Sequence, residues 1–155
     1  MKNLYLMVGI PGSGKSTYIL NHIERKDAWI SRDQIRFSIV DVDEEYFSHE
    51  VEVFEVFVKQ INEVLMDSDT ENIYVDATHI NKASRKKILE RLVLANVKVT
   101  VIWIKVSLDT ALAQNKNRAG TRAFVPTSAI RRMYFSIEAP TTEEKFIDNV
   151  IIIGE

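Results

Sequence analysis

The chain has 155 residues, 46% of them hydrophobic and 27% charged, the composition of a globular domain large enough to bury its own core, so a single domain over 1–155 is expected. It has no cysteine, which excludes disulfides and thiolate metal sites. No apolar run reaches the length of a membrane span and nothing ahead of the first strand reads as a signal peptide, so a cytoplasmic protein without a membrane partner is expected. The net charge of −2 conceals an asymmetry: residues 1–81 hold seven Lys/Arg against fifteen Asp/Glu, and residues 82–155 hold thirteen against seven. That split fits an acidic flank and a basic mouth for phosphates or nucleic acid, and equally fits scattered solvated charge.

Leu4 to Val8 is a short apolar run that reads as a buried strand. Gly9-Ile10-Pro11-Gly12-Ser13-Gly14-Lys15-Ser16 follows and fits G-x-x-x-x-G-K-[ST], the phosphate-binding loop of P-loop nucleotidases, with Thr17 and a helix start behind it. Its glycines let the backbone wrap so that successive N–H groups converge on phosphate oxygens, and the helix N-terminus adds partial positive charge beneath them. Gly12, Ser13, Gly14, Lys15, Ser16 and Thr17 are therefore the expected ATP-binding residues, with Lys15 reaching the β- and γ-phosphates and Ser16 holding Mg²⁺.

Ala28-Trp29-Ile30 predicts a second strand, and Ser31 with Gln34 three residues on predicts a capped helix carrying Asp33 in its first turn. From Asp43 to Met66, Phe47, Val51, Phe54, Val58, Ile61 and Leu65 recur at helical spacing and predict one long amphipathic helix with a solvated glutamate face. Asp67 to Thr70 reads as a turn, since Glu71 and the missing strand spoil any likeness to an acid-sugar phosphatase motif. Asn72 to Asp76 predicts a third strand, Asn81 a helix cap with an apolar face through Leu92 and Val93, and Val97 to Val106 a central strand. Ser107 opens a further helix, Gln114 to Val125 reads as a mobile basic loop, Pro126-Thr127 starts another helix, and Phe146 to Ile153 supplies a last strand. Strands alternating with helices predict an α/β fold, a parallel sheet covered on both faces.

Asp76 ends an apolar strand, where a carboxylate beside Ser16 suits Mg²⁺, directly or through water; capping the next turn is the other reading. Asp33 stands at a strand's carboxyl end, where ligands bind in open α/β sheets, and can take the proton of an acceptor hydroxyl aimed at a γ-phosphate. Arg36, one turn on, either holds an acceptor phosphate or pairs with Asp33. Lys116, Arg118 and Arg122 sit in a loop that can close over transferring phosphate, or are exposed charges. Asn115-Lys116-Asn117-Arg118 is not a guanine-reading N-K-x-D, because Arg stands where Asp is needed.

Four blocks in order carry a resemblance: the phosphate loop through Thr17, Ser31-Arg32-Asp33-Gln34-Ile35-Arg36, Asp76-Ala77-Thr78-His79-Ile80-Asn81, and Gly120 to Tyr134. The sequence resembles the kinase domain of phage-type 5′-polynucleotide kinases, within the small P-loop kinases that include zeta-toxin-like enzymes. The resemblance implies a three-layer P-loop NTPase fold with a parallel five-stranded sheet of adenylate-kinase type and helices on both faces. It implies transfer of the ATP γ-phosphate to a 5′-hydroxyl of DNA or RNA, with Mg²⁺. It makes Asp33 the general base, Arg36 the ligand of the acceptor's 3′-phosphate, Asp76 an organiser of the site and Arg118 the lid arginine. The family's lid often reads R-N-x-x-R; here Gln114 replaces the first Arg, and Arg122 is the candidate substitute for clamping ATP.

The leading expectation is thus an ATP-dependent polynucleotide 5′-hydroxyl kinase. Two others stand beside it: a kinase of a nucleoside, nucleotide sugar or antibiotic using the same loop and Asp33, and an ATP-binding module without transfer.

Overall fold

The computed structural model describes residues 1–154. Five parallel strands, β1 (Lys2–Val8), β2 (Ala28–Ser31), β3 (Asn72–Asp76), β4 (Val97–Lys105) and β5 (Asn149–Gly154), lie in the order β2-β3-β1-β4-β5. Six helices connect or flank them: α1 (Lys15–His22), α2 (Arg32–Ile39), α3 (Glu50–Leu65), α4 (Lys82–Leu89), α5 (Leu108–Lys116) and α6 (Thr127–Ser136). The five-stranded α/β sheet with helices on both faces agrees with the sequence. The central strand does not: it is β1, flanked by β3 and β4, while β4 lies one place from the edge. Both strands are apolar over most of their length, so composition could not rank them.

The larger core lies on one face, where Leu4, Leu6, Val8, Val75 and Val101 meet Val53, Phe57, Ile61 and Ile88. On the other face Met7, Ile102 and Ile104 pack under Ile19. A third cluster, Ile10 with Ala111, Val125, Ala129 and Ile130, seats α5 and α6 beside the phosphate loop. Among the described residues no helix is long and apolar enough to cross a membrane.

The helix expected over 43–66 begins seven residues later, at Glu50. Residues 41–49 instead make turns in which polar side chains compete for the backbone: the Asp41 N–H donates to the Glu44 carboxylate at 3.0 Å and the Ser48 hydroxyl to the Glu45 carbonyl at 2.7 Å. The expected stripe holds at Phe54, Val58, Ile61 and Leu65, all buried, but it is wider than expected and fails at its first turn. Val53 and Phe57 are fully buried, whereas Val51 is 83% exposed, so a heptad count starting from Phe47 selects the wrong valine. Similarly, α4 stops at Leu89 and leaves Val93 exposed. The last strand starts at Asn149 rather than Phe146, which has a φ of 76°. Helix α5 continues to Lys116, through the first residues of the expected loop.

Strand register fixes where the chemistry sits. Ser31 pairs with Asp76 across β2 and β3, so the two strands end at one level. The chain after β1, next to β3, is the phosphate loop, placing it beside both ends in the crevice at the carboxyl edge of the sheet.

Candidate active site

The phosphate loop leaves β1 and is clamped by the Gly9 N–H donating to the Thr78 carbonyl at 3.0 Å. Gly12 and Gly14 take φ of 83° and 100°, a region that L side chains rarely adopt. At Gly12 the glycine is required by space as well, since a Cβ would lie 2.4 Å from the Ala111 carbonyl oxygen. Lys15 folds back over the loop, donating to the Gly9 and Ile10 carbonyls at 2.9 and 3.1 Å. The residue is half-buried but its ammonium is enclosed. Burial holds its pKa below the usual lysine range, the Asp76 and Asp33 charges work the other way, and Arg118 lowers it further. The Ser13 hydroxyl is buried without a hydrogen-bond partner among the described residues.

Ser31 caps α2 by accepting from the Gln34 N–H at 3.3 Å, which sets Arg32 and Asp33 in the first turn. Asp33 is held on one oxygen: Oδ1 accepts from the Tyr46 hydroxyl at 2.6 Å and from Arg36 Nη1. Oδ2 has no hydrogen-bond partner among the described residues. Arg36 is buried, and Glu50 takes its other donors, Nε at 2.9 Å and Nη2 at 2.7 Å. Burial opposes the guanidinium's charge, but the Glu50 hydrogen bonds with the Tyr46 and Asp33 interactions more than offset it, and the pKa rises. Arg32 also reaches Glu50, at 3.4 Å, while its Nε is buried and unpaired.

Asp76 is buried at the tip of β3, with Oδ2 accepting from Trp29 Nε1 at 3.0 Å. Burial pushes its carboxyl above the usual range; the Lys15 charge and the Trp29 N–H work against that shift. Lys15, Ser16, Asp33, Arg36, Asp76 and Arg118 all line one open cavity of about 910 Å³. Ser16 is exposed at the loop's mouth, and a serine hydroxyl with a carboxylate is the oxygen donor set that suits Mg²⁺.

Residues 4–140 match the AAA domain family. The chain belongs to that family. Solved structures share the fold: a fungal RNA kinase (TM-score 0.71, 14% identity, 99% of this chain and 74% of that one) and Chaetomium thermophilum Kti12 with ADP-AlF3 (0.69, 15%, 97% and 88%). A sugar kinase from Janibacter sp. is similar at TM-score 0.66 and 14% identity, over 99% of this chain and 84% of that one. The AAA domain thus has a P-loop kinase fold and the loop of a nucleotide-binding protein.

Three expected residues stand apart from the cavity lining, and one of them, Ser13, is buried within the loop. Thr17 is exposed in the first turn of α1. Arg122 turns toward α2, donating to the Val40 carbonyl with its guanidinium 5.3 Å from the Phe37 ring, so in this conformation it pins the loop to α2. The sequence reading missed Trp29, Tyr46 and Glu50. Tyr46 and Glu50 gave no local signal, because only the return of residues 41–50 over α2 brings them to Asp33 and Arg36. Trp29 had one: the alternation Trp29, Ser31 places it on the face of the strand that ends beside Asp33.

Proposed function

We propose that this protein is an ATP-dependent kinase that transfers the γ-phosphoryl group to a 5′-hydroxyl end of a polynucleotide, DNA or RNA. The observation that carries this reading is Asp33, with one carboxylate oxygen tied and the other unpartnered, on the same cavity as the phosphate loop and Lys15. The acceptor hydroxyl gives its proton to Asp33 Oδ2 while its oxygen bonds to the γ-phosphorus. The bond from that phosphorus to the β,γ-bridging oxygen breaks, and ADP carries away the electron pair.

Phosphate oxygens replace the Gly9 and Ile10 carbonyls as partners of the Lys15 ammonium, and Arg118 neutralises the charge spread over the moving phosphoryl group. Ser16 and Asp76 would hold Mg²⁺, which when bound would neutralise phosphate charge. Arg36 offers an acceptor phosphate the Nη2 N–H that Glu50 leaves free, and keeps its contacts to Asp33 and Glu50. The fold shared with a fungal RNA kinase supports a nucleic-acid acceptor.

A second reading, a nucleoside, nucleotide sugar or antibiotic as acceptor, is favoured by one observation. Four of the five Arg36 N–H donors are already taken by Asp33, Tyr46 and Glu50, and the rim over 41–52 carries six carboxylates and no Lys or Arg, a poor surface for a phosphodiester chain. The fold shared with a sugar kinase fits it.

The test is an acceptor screen with γ-labelled ATP over single strands, duplex ends, nucleosides and sugars. Label on a 5′-hydroxyl oligonucleotide is expected, with affinity falling steeply as salt rises. Asp33→Asn should lower transfer about 10²–10⁴-fold to a residual rate and keep ATP binding. Label only on a nucleoside or sugar selects the second reading; ATP binding without transfer to any acceptor leaves a nucleotide-binding module.

A further inference from the structure

We infer that Tyr46 is a positioning residue for Asp33: its hydroxyl fixes the plane of that carboxylate, so that one oxygen alone is presented to the acceptor. This rests on the kinase reading above and holds for either class of acceptor.

An aspartate in the first turn of a helix rotates broadly about its last torsion, and the Asp33 side chain is 46% exposed. Two donors from different segments remove that freedom. Arg36 comes from the next turn of the same helix, and Tyr46 from the segment that returns over it; both end on Oδ1. A carboxylate held twice through one oxygen leaves its second oxygen in one place, and a near-attack geometry demands that of a base.

Tyr46 is itself fixed. The Arg36 guanidinium lies 4.5 Å from its ring centroid, the Phe47 ring meets it edge-on at 4.6 Å, and Arg36 Nη1 donates to its hydroxyl at 3.1 Å. The bidentate Glu50 contact locks Arg36 in turn. Because the hydroxyl accepts from Arg36, its own proton goes to Asp33. Burial and the nearby Asp33 charge push the phenol pKa up, so that proton stays in place across the physiological range. The ionisable groups around the carboxylate are Arg36 and Tyr46 in contact, Arg32 and Glu50 beside them, and Lys15 and Asp76 across the cavity. Among them only Tyr46 and Arg36 donate to Asp33, and only Tyr46 does so without bringing a charge.

The experiment is a double-mutant cycle of Tyr46→Phe and Asp33→Asn, with kcat measured on the acceptor that the screen identifies and ATP affinity read from Trp29 fluorescence. Phenylalanine keeps the ring packing and removes only the hydroxyl. Tyr46→Phe should lower kcat about tenfold, with the KM for ATP and the ATP affinity within twofold of wild type. In the Asp33→Asn background the same change should add nothing, since there is no base left to orient. Wild-type kcat in Tyr46→Phe, or equal losses in both backgrounds, overturns the inference and leaves the kinase standing. Absence of transfer by the wild-type protein to every acceptor removes the kinase reading and the inference with it.

Discussion

Asn115, buried in the last turn of α5, makes both hydrogen bonds of the Val125 backbone: its amide donates to the carbonyl at 2.8 Å and its Oδ1 accepts from the N–H at 3.0 Å. One side chain therefore closes the ten-residue loop that carries Arg118 and Arg122, and Val125 is buried beneath it. The loop is fastened at that hinge to the end of α5 rather than left as free chain. Asn115→Ala removes two buried hydrogen bonds and leaves two backbone groups unpaired, a loss of about 2–4 kcal/mol. Urea unfolding should give that loss, and limited proteolysis should cut within 117–124 faster in the variant.

Much of the frame was legible because strands and helices here follow hydrophobic period and cap chemistry: Ser31, Asn81 and Ser107 each cap the helix that they predict. The phosphate loop was legible because its spacing encodes a backbone shape. Asn115 was not, since a polar residue in a polar run reveals its burial only when α6 folds back and Val125 arrives. Arg85 is the same case on a larger scale. It lies among Lys86 and Lys87 and reads as solvated, yet it is wholly buried, bound to Glu144 and to the carbonyls of His79 and Glu138. Contacts made by residues more than fifty positions apart leave no periodic trace.

His79 makes the fold acid-sensitive. Its ring is buried, with Nδ1 2.8 Å from the Met7 carbonyl; the neutral tautomer that donates there leaves Nε2 without a partner. Burial drives its pKa down to about 3 from the ordinary 6.5. An unfolded chain binds a proton below the ordinary value while the native state does not. The contribution is therefore fully present above pH 6.5 and is lost as the pH falls toward 3, about 2 kcal/mol of it between pH 7 and 5. His49 acts in the opposite sense: Glu44 raises its pKa, so its contribution is present at acid pH and fades as the pH rises. Unfolding free energies at pH 7 and 5 should show a net loss in the wild type and a smaller dependence in His79→Gln.

Phe57 is the test of where α3 faces. It is fully buried between the helix and the sheet, whereas Val51, the one residue of the expected stripe within α3 that is not buried, is in solvent. Phe57→Ala should cost about 3–5 kcal/mol, and Val51→Ala less than about 0.5 kcal/mol. Thermal denaturation of the two variants tests whether the buried face runs through Phe57 and leaves Val51 out; equal losses would mean that the first turns of the helix are rotated.

The two left-handed glycines of the phosphate loop separate binding from folding. At Gly14, φ is 100° and nothing lies within 4 Å of the place an added methyl would take, so Gly14→Ala meets only the strain of that φ, about 1–2 kcal/mol. At Gly12 the added Cβ meets the Ala111 carbonyl oxygen at 2.4 Å, backbone that cannot rotate aside. Gly12→Ala therefore adds about 1–3 kcal/mol of overpacking to a similar strain. Relief requires α5 to move away from the loop, and with it the hinge that Asn115 forms. Both variants should lose ATP affinity, because the N–H groups that converge on phosphate are re-aimed in each. Only Gly12→Ala should also show faster cleavage within 117–124 and the larger drop in melting temperature. Equal melting temperatures for the two would mean that the Gly12–Ala111 contact is not as close as the structure has it.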